Sequence, residues 1–159
     1  MDFLATAVTG VYAGLFASAI GVMLTAPPRY IVPAFFCGFA GRCARDGLTS
    51  LGMSQSWATV AAACIVVLVA VAAIRRHVVS PVVMISGALP IGAAIAMFNL
   101  IIGLMRIPSL DGAALTGASV AMSADAGRVL TTSLAIALGL GAGMVIVRLL
   151  NRAEVWERV

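Results

Sequence analysis

Long apolar runs constrain this chain more than any other feature of its sequence. The clearest run extends from Trp57 to Ile74 without a charged side chain, and Arg75, Arg76 and His77 follow it at once. A helix of about 18 residues rises about 1.5 Å per residue and crosses most of a hydrocarbon core of roughly 30 Å. Because 62% of all residues are hydrophobic and only 10% are charged, the pattern predicts an integral membrane protein.

We predict an all-α fold, with a single transmembrane domain over residues 1–159 and about five transmembrane helices. The predicted spans are residues 3–25, 30–48, 57–74, 81–105 and 129–150. The second span is expected to be short and polar at its end. The fourth is expected to be broken at Pro90 and Gly92, since proline removes a backbone hydrogen bond and glycine permits a sharp bend. The segment 106–128 is expected to be a loop with one short helix.

The arginines predict how the chain is oriented, because basic residues accumulate on the cytoplasmic side of membrane proteins. If the N-terminus lies outside, six arginines are cytoplasmic, and two lie outside. The cytoplasmic set is Arg29, Arg75, Arg76, Arg148, Arg152 and Arg158, and the outer set is Arg106 and Arg128. The distribution therefore favours an external N-terminus and a cytoplasmic C-terminus.

The second span carries charges where more hydrocarbon is expected, at Arg42, Arg45 and Asp46. On a helix the two arginines share a face, and Asp46 lies four residues after Arg42, close enough to pair with it. One interpretation ends the helix near Gly41 and lets these side chains snorkel to water. The other continues the helix, so that the charges line a water-filled path and bind a small anionic or zwitterionic molecule.

The predicted break at Pro90 and Gly92 also has two interpretations. It is either a kink needed for helix packing, or a discontinuous helix whose free amides face an anionic substrate at mid-depth. Asn99, two turns later, is a candidate for the same cavity or for a bond to a neighbouring helix. We therefore group Arg42, Arg45, Asp46 and Asn99 as candidate substrate-binding residues.

Several glycines are expected to let helices approach closely. Gly10 and Gly14 form a GxxxG pair in the first span, and Gly139, Gly141 and Gly143 lie in the last one. The later three resemble part of a GxGxxG nucleotide-binding loop. However, Met144 replaces the third glycine of that pattern, and no strand precedes them. Helix packing is the better interpretation for all five.

Other functional classes find little support in the sequence. His77 is the single histidine, so a serine–histidine pair with the GMSQS stretch at residues 52–56 is improbable, and the cysteines lack metal-ligand spacing. The net charge of +4 sits at the ends of apolar runs rather than in one patch, which disfavours nucleic-acid binding. We expect no enzyme activity, no cofactor and no metal.

The order of several residues resembles the threonine/serine exporter family. The resemblance is carried by Pro27, Arg29, Gly38, Gly41, Arg45, the stretch LTSLGMSQSWAT with Gly52, Trp57 and Thr59, and then Pro81 and Pro90. It covers most of residues 15–105, and the chain is most similar to the small subunit of the split, two-component form, some members of which are associated with succinate export. Relatives tend to have a longer PxxPG element where this chain has Pro90-Ile91-Gly92.

The resemblance implies a bacterial inner-membrane exporter for small amino acids or dicarboxylates, working by alternating access. It also implies a partner, a second membrane subunit with five spans and a cytoplasmic region. Arg45 matches the family by position, whereas Arg42 and Asp46 are assigned from their chemistry. Two alternatives remain open: a structural scaffold for a pore located in the partner, and a homo-oligomeric channel.

Overall fold

The computed structural model describes residues 3–74, 81–107 and 112–156, and these residues form helices joined by short turns, with no strand among them. The helices are α1 (Phe3–Met23), α2 (Ile31–Ser50), α3 (Gln55–Ile74), α4 (Pro81–Ala88), α5 (Ala93–Arg106) and α6 (Ala113–Trp156). Short 3₁₀ turns occupy Pro28–Tyr30 and Leu89–Ile91. The predicted all-helical class is confirmed for the described part of the chain.

Three of these helices are long and apolar enough to cross a membrane. The qualifying windows are Thr6–Met23 in α1, Gln55–Ala73 in α3 and Leu115–Leu150 in α6. Helix α2 is as long as α3, but its second half carries Arg42, Arg45 and Asp46. Helices α4 and α5 are each shorter than a span. The predicted basic exit at Arg75, Arg76 and His77, and Arg158 near the end, lie outside the described residues.

Helices α1 and α2 lie antiparallel and pack through glycine. A Cβ atom placed on Gly10 would lie 3.1 Å from the ring of Phe39, and one on Gly14 would lie 2.8 Å from the ring of Phe35. On the other side of the contact, a Cβ on Gly38 would lie 2.6 Å from that of Ala17. Missing side chains on both helices thus let the backbones approach closely, as small residues do in membrane helices.

Helices α3 and α6 run parallel and meet at two of the three glycines that the sequence singled out in α6. A Cβ on Gly139 would lie 2.6 Å from that of Ala63, and one on Gly143 would lie 2.8 Å from that of Val67. Gly141 is different, because a Cβ there would have nothing within 4 Å among the described residues. Gly141 therefore does not contribute to the α3–α6 contact, since a residue two positions away points to the opposite side of a helix.

The last helix begins much earlier than the sequence predicted. Instead of a loop over 106–128 and a span over 129–150, α6 is continuous from Ala113 to Trp156, 44 residues or about 66 Å. Its first half is rich in alanine, the strongest helix former, and contains no proline. Its hydroxyl groups bond back to the helix, as Ser119 Oγ does to the Thr116 carbonyl at 2.8 Å and Ser123 Oγ to the Val120 carbonyl at 2.8 Å.

The core is built mainly of small side chains where α2, α3 and α4 meet. Cys37, Val66, Val83 and Ile91 are fully buried there. Ile91 ends the 3₁₀ turn after α4 and lies against Gly41 of α2, whose Cβ would be 3.0 Å from Ile91 Cδ1. This contact sets the turn directly against the charged half of α2.

Gly139 and Gly141 of α6 give a matched test of this packing. Through helix propensity alone, replacing either glycine with alanine should raise the free energy of unfolding by roughly 0.5–1 kcal/mol. Gly141→Ala should therefore leave the thermal midpoint in detergent unchanged or higher, whereas Gly139→Ala should lower the stability by about 1–3 kcal/mol through overpacking against α3. Equal midpoints for the two variants would contradict the α3–α6 contact.

Candidate functional site

Helix α2 does not end at Gly41 but continues through the charged residues to Ser50. Arg42 and Asp46 lie one turn apart, and Arg42 Nε donates to Asp46 Oδ2 at 3.0 Å. Both side chains are about a quarter exposed, at 25% and 28%. Asp46 also accepts a weaker bond from Thr9 Oγ1 of α1 at 3.5 Å. Asp46 is thus engaged by α1 and α2.

Arg45 is buried among the helices, with 7% of its surface exposed. Its Nη1 donates a hydrogen bond to the main-chain carbonyl of Ile91, at the end of the 3₁₀ turn. Its Nε is also buried and has no hydrogen-bond partner among the described residues. The snorkelling interpretation therefore does not hold for Arg45, because its guanidinium faces the inside of the bundle.

The carbonyl that Arg45 reaches belongs to an interruption between two helices. Helix α4 ends at Ala88, the turn Leu89–Ile91 follows with Pro90 at its centre, and α5 begins at Ala93. Gly92 joins them with φ of 150°, in a region that favours glycine. A Cβ on Gly92 would lie 2.7 Å from Arg45 Cζ. Gly92 thus provides both the backbone angle and the space for the guanidinium.

A polar cavity of about 390 Å³ lies beside this interruption, and we call it the polar cavity. Its volume is within the range of about 300–1,000 Å³ typical of small-molecule sites. It is lined by Arg42, Arg45, Gln55, Gly92, Asn99, Asp125, Arg128 and Thr132. Four of the residues that the sequence singled out are therefore brought together.

Two of the candidate residues lie elsewhere. Asp46 does not line the polar cavity. Pro90 lines a second, shallow depression of about 350 Å³, together with Thr9, Tyr12, Ala13, Phe16 and Arg42. We call this second depression the apolar groove, and Arg42 borders both it and the polar cavity.

Helix α6 also contributes to the polar cavity, which the sequence did not predict. Asp125, Arg128 and Thr132 all line it, and Asp125 Oδ1 lies 3.5 Å from Arg128 Nη1. Their spacing of three and four residues places them on one helical face. The spacing is visible in the sequence, but it indicates a shared face only if residues 113–128 are helical.

The charges around the polar cavity favour an anion. Three arginines and one aspartate stand among its described lining residues, with neutral hydrogen-bonding groups on Gln55, Asn99 and Thr132. The planar guanidinium donates two parallel bonds to a carboxylate, and these charge-assisted bonds are roughly twice as strong as neutral ones. No group of three or more potential metal ligands occurs in the described part of the chain.

Comparison of the chain with known families, with curated proteins and with solved structures found no match. The resemblance to the threonine/serine exporter family therefore stays a prediction that depends on the residues quoted above. The site has to be interpreted from its own geometry and charge.

The contact between Gly92 and Arg45 predicts that a single methyl group added at Gly92 will lower the stability of the fold unusually strongly. Gly52 is a suitable control, because it also has a positive φ, 89°, but has open space at its Cβ position among the described residues. Gly52→Ala should cost on the order of 1–3 kcal/mol from backbone strain alone. Gly92→Ala should cost more, because it also displaces the Arg45 guanidinium.

Thermal unfolding of both variants in detergent measures this difference. In an Arg45→Ala background the excess cost of Gly92→Ala should largely disappear, as expected for residues in direct contact. An equal cost of Gly92→Ala with and without Arg45 would show that the guanidinium does not occupy this space.

Proposed function

We propose that this chain is a membrane subunit of an exporter for small amino acids or dicarboxylates. The observation that carries the proposal is the polar cavity, which is lined by three arginines and by Gly92 of the interrupted helix in a strongly apolar protein, with Arg45 itself buried. Charged groups at membrane depth cost at least about 2.5–3.5 kcal/mol each on insertion scales, so they usually serve a polar ligand or pathway. A carboxylate-bearing metabolite is the ligand that suits these groups.

The proposed topology has five crossings. Helices α1, α2 and α3 supply three, α4 and α5 together supply the fourth, and α6 the fifth. Helix α2 has 20 residues, about 30 Å, and residues 81–106 are longer still. We place the N-terminus outside and the C-terminus in the cytoplasm of a bacterial inner membrane, following the arginines. The antiparallel packing of α1 and α2 is compatible with this order.

In the proposed transport step, Arg42, Arg45 and Arg128 hold the substrate carboxylate, and Asn99, Gln55 and Thr132 bind its other polar groups. Asp125 faces a positively charged amino group where the substrate has one. The interruption at Pro90 and Gly92 lets α5 change its angle to α4, so that the cavity opens to one side at a time. A second membrane subunit completes the path, as the family resemblance implies.

Export by cells tests the binding role of the cavity with a matched pair on one helix. Arg128 and Arg148 are both exposed on α6, but among the described residues only Arg128 lines the polar cavity. Arg128→Gln should lower export of the substrate about tenfold or more, since a lost charge-assisted bond costs about 1.5–3 kcal/mol. Arg148→Gln makes the same change of charge and should export normally.

Export rates are compared at equal membrane abundance of each variant. Normal export by Arg128→Gln, Arg42→Gln and Asn99→Ala together would show that the polar cavity is not the substrate path. The chain would then be a scaffold for a pore in its partner.

Purification at native expression tests the proposed partner. We expect a second membrane protein to co-purify with this chain in a fixed ratio. A homo-oligomer that conducts anions alone in liposomes would instead establish the channel alternative.

A further inference from the structure

The hydrogen bond between Arg45 and Ile91 links the two features on which the proposed transport depends, the cationic wall of the polar cavity and the α4–α5 interruption. Arg45 comes from α2, while the carbonyl that it contacts is the last of the 3₁₀ turn. Arg45 also lines the polar cavity, as does Gly92 directly after Ile91. One side chain thus touches both the space for a ligand and the backbone that has to move.

The bonding of Arg45 in this state is incomplete. Its Nη1 meets a neutral carbonyl, and its Nε is buried without a partner among the described residues. Arg42 and Arg128 add two further positive charges around the same cavity. A buried donor without an acceptor is unfavourable, and a carboxylate is a stronger acceptor than a carbonyl. An anion in the polar cavity therefore competes favourably for this guanidinium.

Gly92 is suited to respond when the guanidinium moves. Its φ of 150° is accessible because it has no side chain, and glycine adopts positive and negative φ values with similar ease. Arg45 fills the space where a Cβ would lie. When Arg45 leaves, Gly92 gains both the room and the backbone freedom to change its angle.

We propose that Arg45 is a latch that holds the α4–α5 interruption in its present angle until an anionic ligand draws the guanidinium away from the Ile91 carbonyl. This proposal rests on the proposed function, and it adds how occupation of the cavity is linked to the helix movement. A ligand shifts a conformational equilibrium only through a difference in its contacts between the two states. Here the difference lies in the hydrogen bonds of Arg45: in one state it donates one bond to a carbonyl, and in the other it donates two bonds to a carboxylate.

Arg42 provides the contrast within the same cavity. Its Nε is paired with Asp46 on its own helix, at 3.0 Å. Removing the Arg42 side chain takes away a positive charge from the polar cavity but no bond to the interruption. The two arginines therefore separate the effect of charge from the effect of the latch.

A distance between α4 and α5 measures the state of the latch. Ile85 on α4 and Ile101 on α5 are exposed, at 49% and 47%. Each is replaced by p-acetylphenylalanine, to which a nitroxide label is attached. This chemistry leaves the native cysteines unlabelled. Pulsed electron paramagnetic resonance measures the distance between the two labels, on the full chain with any co-purifying partner, in lipid nanodiscs. Without ligand, Arg45→Met should shift or broaden the distance distribution, and Arg42→Met should leave it as in the parent.

The ligand arm uses the parent protein, so it does not depend on how well a variant folds. Succinate and L-threonine are added separately, with uncharged succinamide as the control, and their binding is measured in parallel by equilibrium dialysis. A carboxylate that binds should produce a second distance population resembling that of Arg45→Met, and succinamide should not. In Arg45→Met the same carboxylate should produce no further shift.

The outcomes separate the latch from the proposed function. Binding of succinate or L-threonine with an unchanged distance distribution would overturn the latch and leave the proposed function standing. If neither carboxylate binds, the proposed function and its ligand-triggered latch both fail, even where Arg45→Met alters the distance. An equal shift in Arg42→Met and Arg45→Met would show that cavity charge, rather than the bond to Ile91, controls the angle.

Discussion

A buried arginine bonded to the end of a helical turn organises this molecule. Arg45 of α2 donates to the Ile91 carbonyl, and the surrounding residues are arranged to allow it: Gly92 has no side chain, and Ile91 packs on Gly41. A cation in an apolar protein needs acceptors, and an interrupted helix provides them because some of its carbonyls are released from the helical pattern. The polar end of α2 and the interruption after α4 therefore depend on each other.

The polar cavity follows from the same arrangement. The α4 helix stops at Ala88, so the chain can bend at Gly92 and bring Asn99 of α5 to the side where Arg42 and Arg45 lie. Helix α6 closes this side with Asp125, Arg128 and Thr132. The result is a positively charged cavity in a chain whose helices otherwise contact each other mostly through alanine, valine and glycine.

The sequence predicted the helical class and several cavity residues because these depend on local chemistry. An arginine inside an apolar run needs a polar environment, and Arg42, Arg45 and Asn99 indeed line one cavity. The sequence did not predict that Arg45 would bond to a main-chain carbonyl 46 positions away. Every residue has a main-chain carbonyl, and the sequence does not indicate which one is free to accept. The residues of α6 were missed for a different reason: the polar character of 106–128 suggested a loop, while alanine content and hydroxyl bonds to the backbone sustain a helix.

The length of α6 has a mechanical consequence. At about 66 Å it is roughly twice as long as a hydrocarbon core is thick. Its second half is fixed to α3 through Gly139 and Gly143, and its first half packs on α5, where Gly103 meets Met122. One continuous helix thus connects α3 to α5, so any tilt of α6 relative to α3 would displace its far end, and the α5 contact there, by more than it displaces the α3 contact.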